Sequence, residues 1–143
     1  MEPIELEFTV GCSTERAFET WVSKTASWGP RDHTRSADPH VAIGFEPHAG
    51  GRIYERTSEG VEYDWGEVLT WEHPHRLAYL WHIAGDRSDA TEVTISFSPV
   101  GDATSVRIVH HGWERLAMRG VELRERNRRG WDGLIPHYRR ACL

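Results

Sequence analysis

The most unusual chemical feature of this 143-residue sequence is its seven tryptophans. Indole rings are large, flat and amphipathic, and they occur both in packed cores and in ligand pockets. Core packing explains any single tryptophan more simply, but several together line a roomy cavity better than they fill a tight one. The composition therefore indicates a cavity for apolar or aromatic molecules. We expect the following residues to border it: Trp28, Ile53, Glu55, Trp65, Trp81, Phe97, His110, Trp113, Trp131, Leu134 and Tyr138.

Glu55 is the first candidate for acid–base chemistry. In the strand-like segment 52–56 side chains alternate between two faces, so Glu55 shares a face with Ile53. If Ile53 points inward, the carboxylate of Glu55 is buried and needs a hydrogen-bonding partner or a proton. It could then hold a polar group of a ligand or act as an acid or base. The opposite parity, with Tyr54 inside and Glu55 in solvent, fits the sequence equally well.

His110 and His111 are the other candidates, because they end the last predicted strand and must point to opposite faces. One of them faces the interior, where a histidine is more often a hydrogen-bonded core residue than a catalyst. Glu55, His110 and His111 are therefore only weak catalytic candidates. We expect His73 and His75, which lie in a predicted turn, to be solvated.

The nine histidines and two cysteines do not have the spacing of a metal site. The sequence also lacks the motifs of serine hydrolases, phosphate-binding loops and dinucleotide-binding domains. We therefore expect neither a metal nor a cofactor.

A long C-terminal helix must position several of these residues. Spacings of 4, 4, 3 and 4 residues predict that one face of this helix packs against the rest of the protein. This face carries Leu123, Asn127, Trp131, Leu134 and Tyr138. Pro136 interrupts the pattern, and it predicts either a tolerated bend near the helix end or a mobile gate over the pocket.

The rest of the chain has mostly strand-like patterns separated by turn residues. After the first strand, Ser13 offers an N-cap for a short helix, and Trp28-Gly29-Pro30 ends that helix or a second one. Strict alternation in the fourth segment would place Trp65, Glu67, Leu69 and Trp71 on one face. The strand-like segments are 4–10, 41–45, 52–57, 63–71, 76–83, 92–98 and 104–111. Their short connections predict an α+β fold with a curved antiparallel sheet of about six strands around the C-terminal helix.

This order of elements, with several local markers, resembles the homologues of the activator of heat-shock-protein-ninety ATPase (AHSA-type). That family belongs to the START and Bet v 1-like (SRPBCC) superfamily of helix-grip domains. One marker departs from the family, since His73-Pro74-His75 stands in place of a more usual Pro-Pro pair. The markers are CSTERAFETWVS at 12–23, Trp28-Gly29-Pro30, Gly50-Gly51-Arg52, Gly66-Glu67-Val68, 73–77, 91–97, His111-Gly112-Trp113 and Gly130-Trp131.

The resemblance implies a single helix-grip domain over residues 1–143, with a cavity between sheet and helix, but it leaves the function open. The leading hypothesis is binding of a small hydrophobic or aromatic molecule, such as a lipid, polyketide or flavonoid. A second is an enzyme of the cyclase or hydratase type, with Glu55 or a pocket histidine as acid or base. A third is a co-chaperone role. The eukaryotic namesake carries a separate N-terminal domain for which this chain has no room, so we do not expect a chaperone partner.

The charge distribution and the hydropathy of the sequence limit the kinds of partner that the protein could bind. Residues 114–143 carry eight arginines and four acids, giving +4, so the other residues carry −9 of the total of −5. The pairs Glu122–Arg126 and Glu125–Arg129 predict a solvated helix face, and an acidic body repels phosphates, so we expect no nucleic-acid binding. The chain has neither a signal-peptide pattern nor an apolar run near the roughly 20 residues of a membrane span. We expect a cytoplasmic monomer or weak dimer with free thiols and no membrane association.

Overall fold

The strand-like segments form one antiparallel sheet in the computed structural model, which describes residues 1–29, 34–83, 86–116 and 118–143. Seven strands lie within these residues: β1 (Ile4–Val10), β2 (Ala42–Phe45), β3 (Arg52–Arg56), β4 (Glu62–Glu72), β5 (Arg76–Trp81), β6 (Thr91–Val100) and β7 (Ala103–His111). The helices are α1 (Thr14–Ser23), α2 (Thr25–Trp28) and α3 (Met118–Ala141), with 3-10 turns at Arg87–Asp89 and Trp113–Leu116.

The strand order explains how the sheet encloses a helix. Strands β2 to β7 form a meander, and β1 pairs beside β7, which gives the order β1-β7-β6-β5-β4-β3-β2. The short helices α1 and α2 therefore connect the two opposite edges of the sheet. The predicted α+β fold, with a curved antiparallel sheet, two short helices after the first strand and a long C-terminal helix, is confirmed.

Helix α1 begins where the sequence predicts. The Ser13 side chain accepts a hydrogen bond from the backbone N–H of Arg16 at 3.2 Å, which is N-cap geometry. The helix buries Phe18 and Trp21 against the sheet. The expected break after Trp28 can be described only as far as Gly29, because Pro30 lies outside the described residues, as do 31–33 of the predicted loop that follows.

Strand β4 has an irregularity at Trp65. Ile53 of β3 pairs with Gly66, whereas the next residue of β3 pairs with Asp64, so Trp65 is an extra residue in β4. Such a bulge bends the strand and redirects a side chain. A Cβ on Gly66 would lie 1.8 Å from the carbonyl oxygen of Leu80, so only glycine fits beside the bulge.

The expected strict alternation of Trp65, Glu67, Leu69 and Trp71 is wrong. The shift at Trp65 changes the parity of β4, so that Gly66 and Val68 face the core, and a second shift at Leu69 changes it again, so that Trp71 pairs with the buried Leu77. Trp65 and Trp71 nevertheless both reach the interior, one buried and the other packed against the core. Two local shifts therefore replace the single alternating pattern.

Helix α3 lies with its apolar face on the core, as its spacing predicts. Trp131 and Tyr138 are buried, with Leu123 and Leu134 packed against the same cluster. The Tyr138 hydroxyl donates to the carbonyl of Ala17 at 2.7 Å and so ties α3 to α1. The helix continues through its proline to Ala141, and the mobile gate stays a prediction.

Candidate functional site: an aromatic cavity beneath the C-terminal helix

A cavity of about 610 Å³ lies between the sheet, α1, α2 and α3. This volume is in the range of small-molecule sites. Of the described residues, those that give it aromatic walls are Trp21, Trp28, Phe45, Trp65, Tyr79, Trp81 and Trp131. The aliphatic lining is Val41, Ile43, Ile83, Leu123 and Leu134, and the charged lining is Arg35, Asp38 and Arg126. The walls of the cavity are therefore mainly aromatic, and three side chains of the described lining carry charge.

The helical wall consists of tryptophans in mutual contact. Trp21 of α1 stacks on Trp131 of α3 with ring centroids 5.9 Å apart and planes at 27°. Trp28 lies 5.3 Å from Trp21, and Tyr138 supports both rings from behind. Because these rings come from three helices, the wall exists only when α1, α2 and α3 are packed together.

The opposite wall is built by neighbouring strands. Trp81 of β5 contacts Trp65 at 5.4 Å and Tyr79 at 5.8 Å, and Phe45 of β2 meets Tyr79 edge-on at 5.8 Å. Burial raises the pKa of Tyr79, and a hydrogen bond from Trp21 only partly offsets that shift. The phenol is therefore neutral.

Three of the tryptophans that line this cavity, Trp28, Trp65 and Trp131, direct their indole N–H groups into the protein. Each acceptor lies on a different helix or strand from its tryptophan, so the hydrogen bonds fix the planes of the rings. These bonds run from Trp28 Nε1 to Thr20 O at 2.7 Å, from Trp65 Nε1 to Glu55 Oε1 at 2.8 Å and from Trp131 Nε1 to His110 Nδ1 at 3.0 Å. These three rings offer a ligand their faces instead of their donors.

Glu55 points inward, which decides between the two parities that the sequence left open. Its buried carboxylate accepts from Arg35 N at 2.6 Å, Ser36 N at 3.0 Å, Ser36 Oγ at 2.6 Å and Trp65 Nε1 at 2.8 Å. Burial alone would raise the pKa of Glu55, but these hydrogen bonds outweigh it and hold the pKa below the ordinary value. The carboxylate is therefore ionised. It fixes the segment that carries Arg35 and the ring of Trp65.

His110 is the inward histidine and connects three elements. Its Nδ1 accepts from the Trp131 indole, so the ring proton resides on Nε2, which lies 2.6 Å from Thr91 Oγ1. Its carbonyl accepts from Trp113 Nε1 at 3.0 Å. Burial, with a smaller contribution from the charge of His111, lowers the pKa of His110 to about 3. The ring is neutral and holds α3 against β7.

The outward histidines behave as the sequence predicts. His111 faces the outer surface, where its Nε2 lies 2.7 Å from a carboxylate oxygen of Glu92. His73 and His75 are exposed, and His73 contacts Glu19 at 2.8 Å. Within the described ranges, histidine, cysteine, aspartate and glutamate do not group in threes that could hold a metal ion. Cys12 and Cys142 are both free and buried.

The structure divides the expected site residues into two groups. Those that line the cavity are Trp28, Trp65, Trp81, Trp131 and Leu134. Those in the layer behind it are Ile53, Glu55, Phe97, His110, Trp113 and Tyr138. The second group holds the first in place, so their expected position at the surface of the cavity is corrected: long aromatic side chains cover them.

Several lining residues escaped the sequence analysis. Trp21 follows Ala17 and Phe18 at helical spacing in α1, and Asn127 lies on the predicted face of α3, so periodicity could have identified both. Arg126 is exposed, as expected for the solvated face that it shares with Glu122, but it also lines the cavity at its edge, and the described residues show no ion pair between the two. Arg35 lies in a segment without periodic structure, and no sequence signal could place it.

A family model described as Activator of Hsp90 ATPase homolog 1-like protein matches residues 12–135. No curated protein matches the chain significantly. Among solved structures, the chain is 34% identical to an anthrahydroquino-gamma-pyrone synthase, Txn09, solved in complex with SUM, over 77% of this chain and 76% of that one, with a TM-score of 0.59.

Two further structures share the fold. CalC, a self-sacrificing resistance protein from Micromonospora echinospora, is 23% identical over 96% of this chain and 92% of its own, with a TM-score of 0.71. The Aha1 dimer from Colwellia psychrerythraea is 15% identical over 99% and 96%, with a TM-score of 0.68. No helix in the described part of the chain is long and apolar enough to cross a membrane.

Proposed function

The chain belongs to the family of Activator of Hsp90 ATPase homolog 1-like proteins, a ligand-binding branch of the helix-grip domains, and from that premise we propose that it binds flat aromatic small molecules of polyketide or flavonoid type. The observation that carries the proposal is the ring-lined cavity of about 610 Å³ beneath α3. Aromatic contacts of this kind contribute about 0.5–1.5 kcal/mol each beyond the area that they bury.

The arrangement of the indoles favours flat ligands over flexible chains. The hydrogen bonds of Trp28, Trp65 and Trp131 to protein acceptors fix their ring planes before a ligand enters. Preformed walls lower the entropy cost of binding, and flat ligands gain most from them because their whole face makes contact. A fatty acid would have to order many rotatable bonds in the same space. Aromatic ring systems should therefore bind more tightly than acyl chains of similar size.

The test is a titration of intrinsic tryptophan fluorescence with anthraquinone, the flavonoid naringenin and oleate. We expect saturable quenching with the first two and weaker binding of oleate. Gly130 lines the cavity and Gly133, one helical turn further along α3, is exposed, and a Cβ on either would meet open space. Gly130→Leu should fill part of the cavity and weaken binding about tenfold or more, whereas Gly133→Leu is the matched control and should bind like the parent.

Both variants keep all seven tryptophans, so the optical signal is unchanged. Absence of saturable quenching by all three compounds would contradict the proposal. Equal affinity of the Gly130→Leu and Gly133→Leu proteins would also contradict it, since the ligand would then bind somewhere else.

A second candidate is ring closure on a bound aromatic compound, and the 34% identity to a gamma-pyrone synthase favours it. Glu55 and His110 lie behind the cavity lining with their polar atoms bonded internally. Catalysis would therefore depend on holding the reacting ends together in one conformation rather than on these two groups. The co-chaperone alternative stays a prediction without a specific observation in its favour.

An ortho-hydroxyaryl ynone tests this candidate. Its closure to a gamma-pyrone forms one C–O bond and moves the phenol proton to carbon, without another reactant. Absorbance should report a faster reaction with the parent and the Gly133→Leu protein than with the Gly130→Leu protein. Equal rates in buffer and in all three proteins would exclude ring closure while leaving the binding proposal intact.

A further inference from the structure

We propose that Arg126 selects ligands with an acidic group, so that this cavity prefers aromatic acids, either carboxylates or acidic phenols, over their neutral analogues. The inference rests on the proposed binding function and specifies the chemistry of its ligand. Arg126 lies on α3 in the lining of the cavity, at its exposed edge. A guanidinium group there is the natural partner of a carboxylate, because its N–H groups match both oxygens.

Arg126 differs from most of the arginines around it in having no acceptor among the residues that the structure describes. Among the described residues, no carboxylate or carbonyl lies within bonding distance of its guanidinium. The neighbouring arginines that do have partners are Arg115 on Ala90 O, Arg119 on Asp89, Arg124 on Glu2 O and Pro3 O, Arg128 beside Asp132 and Arg139 on Thr9 O. Among the described residues of α3, Arg126 is thus the arginine that lines the cavity and whose guanidinium has no hydrogen-bond acceptor.

The acid in the same lining is not available to neutralise it. Asp38 accepts hydrogen bonds from His40 N at 2.8 Å and from both Ser58 N and Ser58 Oγ at 2.8 Å. The bonds from the Ser58 and His40 backbones lower the pKa of Asp38, so this carboxylate is ionised and committed to its own loop. It faces bonded protein donors instead of a ligand.

Arg35 adds a second positive charge to the lining. Its backbone N–H is fixed by Glu55 at 2.6 Å, and its guanidinium carbon lies 5.3 Å from the centre of the Tyr63 ring. The described part of the cavity lining therefore carries two arginines and one aspartate in a protein whose formal net charge is −5. A local positive surplus in an acidic protein attracts an anion, and the apolar rings behind it require that the rest of the anion be flat and apolar.

The experiment compares anthraquinone-2-carboxylate with anthraquinone-2-carboxamide, which has nearly the same shape and no charge. Dissociation constants come from tryptophan fluorescence at low salt for the parent, Arg126→Gln and Arg129→Gln. Arg129 is an exposed arginine of the same helix outside the cavity lining, so it controls for the loss of one charge. We expect the parent to bind the carboxylate about five- to tenfold more tightly than the amide.

In the Arg126→Gln protein this preference should disappear, with little change for the amide, whereas Arg129→Gln should keep it. The preference should also shrink as salt is added. An equal affinity of the parent for both probes, or a preference that survives in Arg126→Gln, would overturn the inference and leave the binding function standing. An equal loss in both variants would overturn it too, since the effect would be one of overall charge. If neither probe binds, both proposals fail.

Discussion

Truncating Trp131 to alanine tests the packing of α3 most directly. The indole is only 7% exposed, stacks on Trp21 at 5.9 Å and donates to His110 Nδ1 at 3.0 Å. Removal of a buried tryptophan costs about 3–5 kcal/mol. One face of this ring borders a cavity instead of packed atoms, so we expect the lower end, about 3 kcal/mol. In a chain of this length that corresponds to a fall of about 10 °C in Tm.

The phenylalanine variant separates the hydrogen bond from the ring. Trp131→Phe keeps most of the apolar contact with Trp21 but leaves the Nδ1 atom of His110 without its donor. An unpaired buried acceptor costs about 1–3 kcal/mol. In a His110→Leu background the same change should cost about 1 kcal/mol less, because leucine offers the indole no acceptor. The two substitutions should therefore be non-additive by about that amount.

Urea unfolding followed by far-ultraviolet circular dichroism measures all of these values. Trp81→Phe is the control, since this ring is half-buried in the opposite wall, and we expect it to cost less than Trp131→Phe. If Trp131→Ala were as stable as the parent, α3 would be a solvated appendage. The packing described for the helix would then be refuted, together with the cavity that depends on it.

Three further outcomes are expected. Glu55→Gln replaces an ionised acceptor of four hydrogen bonds and should lower the unfolding free energy by about 2–3 kcal/mol in urea; an unchanged midpoint would contradict its anchoring role. The folded pKa of His110 is about 3 against an ordinary 6.5, so only the unfolded chain takes up this proton between those values. The contribution of neutral His110 to the unfolding free energy is therefore full above pH 6.5 and declines below it by up to about 1.4 kcal/mol per pH unit. In urea unfolding between pH 6.5 and 5, His110→Gln should reduce this dependence of stability on pH. A parent protein whose stability does not change over that range would contradict the prediction. Gly133→Ala should raise stability by about 1 kcal/mol through helix propensity, and Gly130→Ala should do the same while also changing ligand affinity; destabilisation by Gly133→Ala would contradict the open space around it.

The sequence predicts those features that depend on local periodicity. The stripe from Leu123 to Tyr138 identifies α3 and its buried face because side chains three or four residues apart share one side of a helix. The N-cap at Ser13 is equally local, since its hydrogen bond spans three residues. These features required no knowledge of the partner elements.

Side-chain directions in the sheet could not be predicted, because distant strands decide them. Glu55 faces inward, where its carboxylate accepts hydrogen bonds from the backbone N–H groups of Arg35 and Ser36. These two residues lie twenty and nineteen positions earlier in the sequence. Gly66 and Val68 face the core because β4 carries one more residue, Trp65, than β3 opposite it. Such register shifts cannot be predicted from the alternation of apolar and polar residues in one strand.

The charged edge of the cavity was the least predictable part. Arg126 lies at a helical spacing that suits both a surface ion pair and a cavity wall. Only the rotation of α3 on the sheet distinguishes these two positions. The eventual position of Arg126 is therefore a property of tertiary packing and not of the helix sequence.

The inward hydrogen bonds of the tryptophans have a consequence for how ligand preference can change over time. A ring face has no preferred direction within its plane, so if the protein binds flat molecules as proposed, the walls would hold such a molecule without selecting which of its edges enters first. Orientation then depends on the few polar side chains at the rim, such as Arg126 and Arg35. Substitutions at the rim can redirect the cavity to a new regiochemistry while the bonded indoles behind it stay unchanged. The affinity for a flat ring system and the orientation in which it binds would thus depend on different residues, so that each could change in evolution without the other.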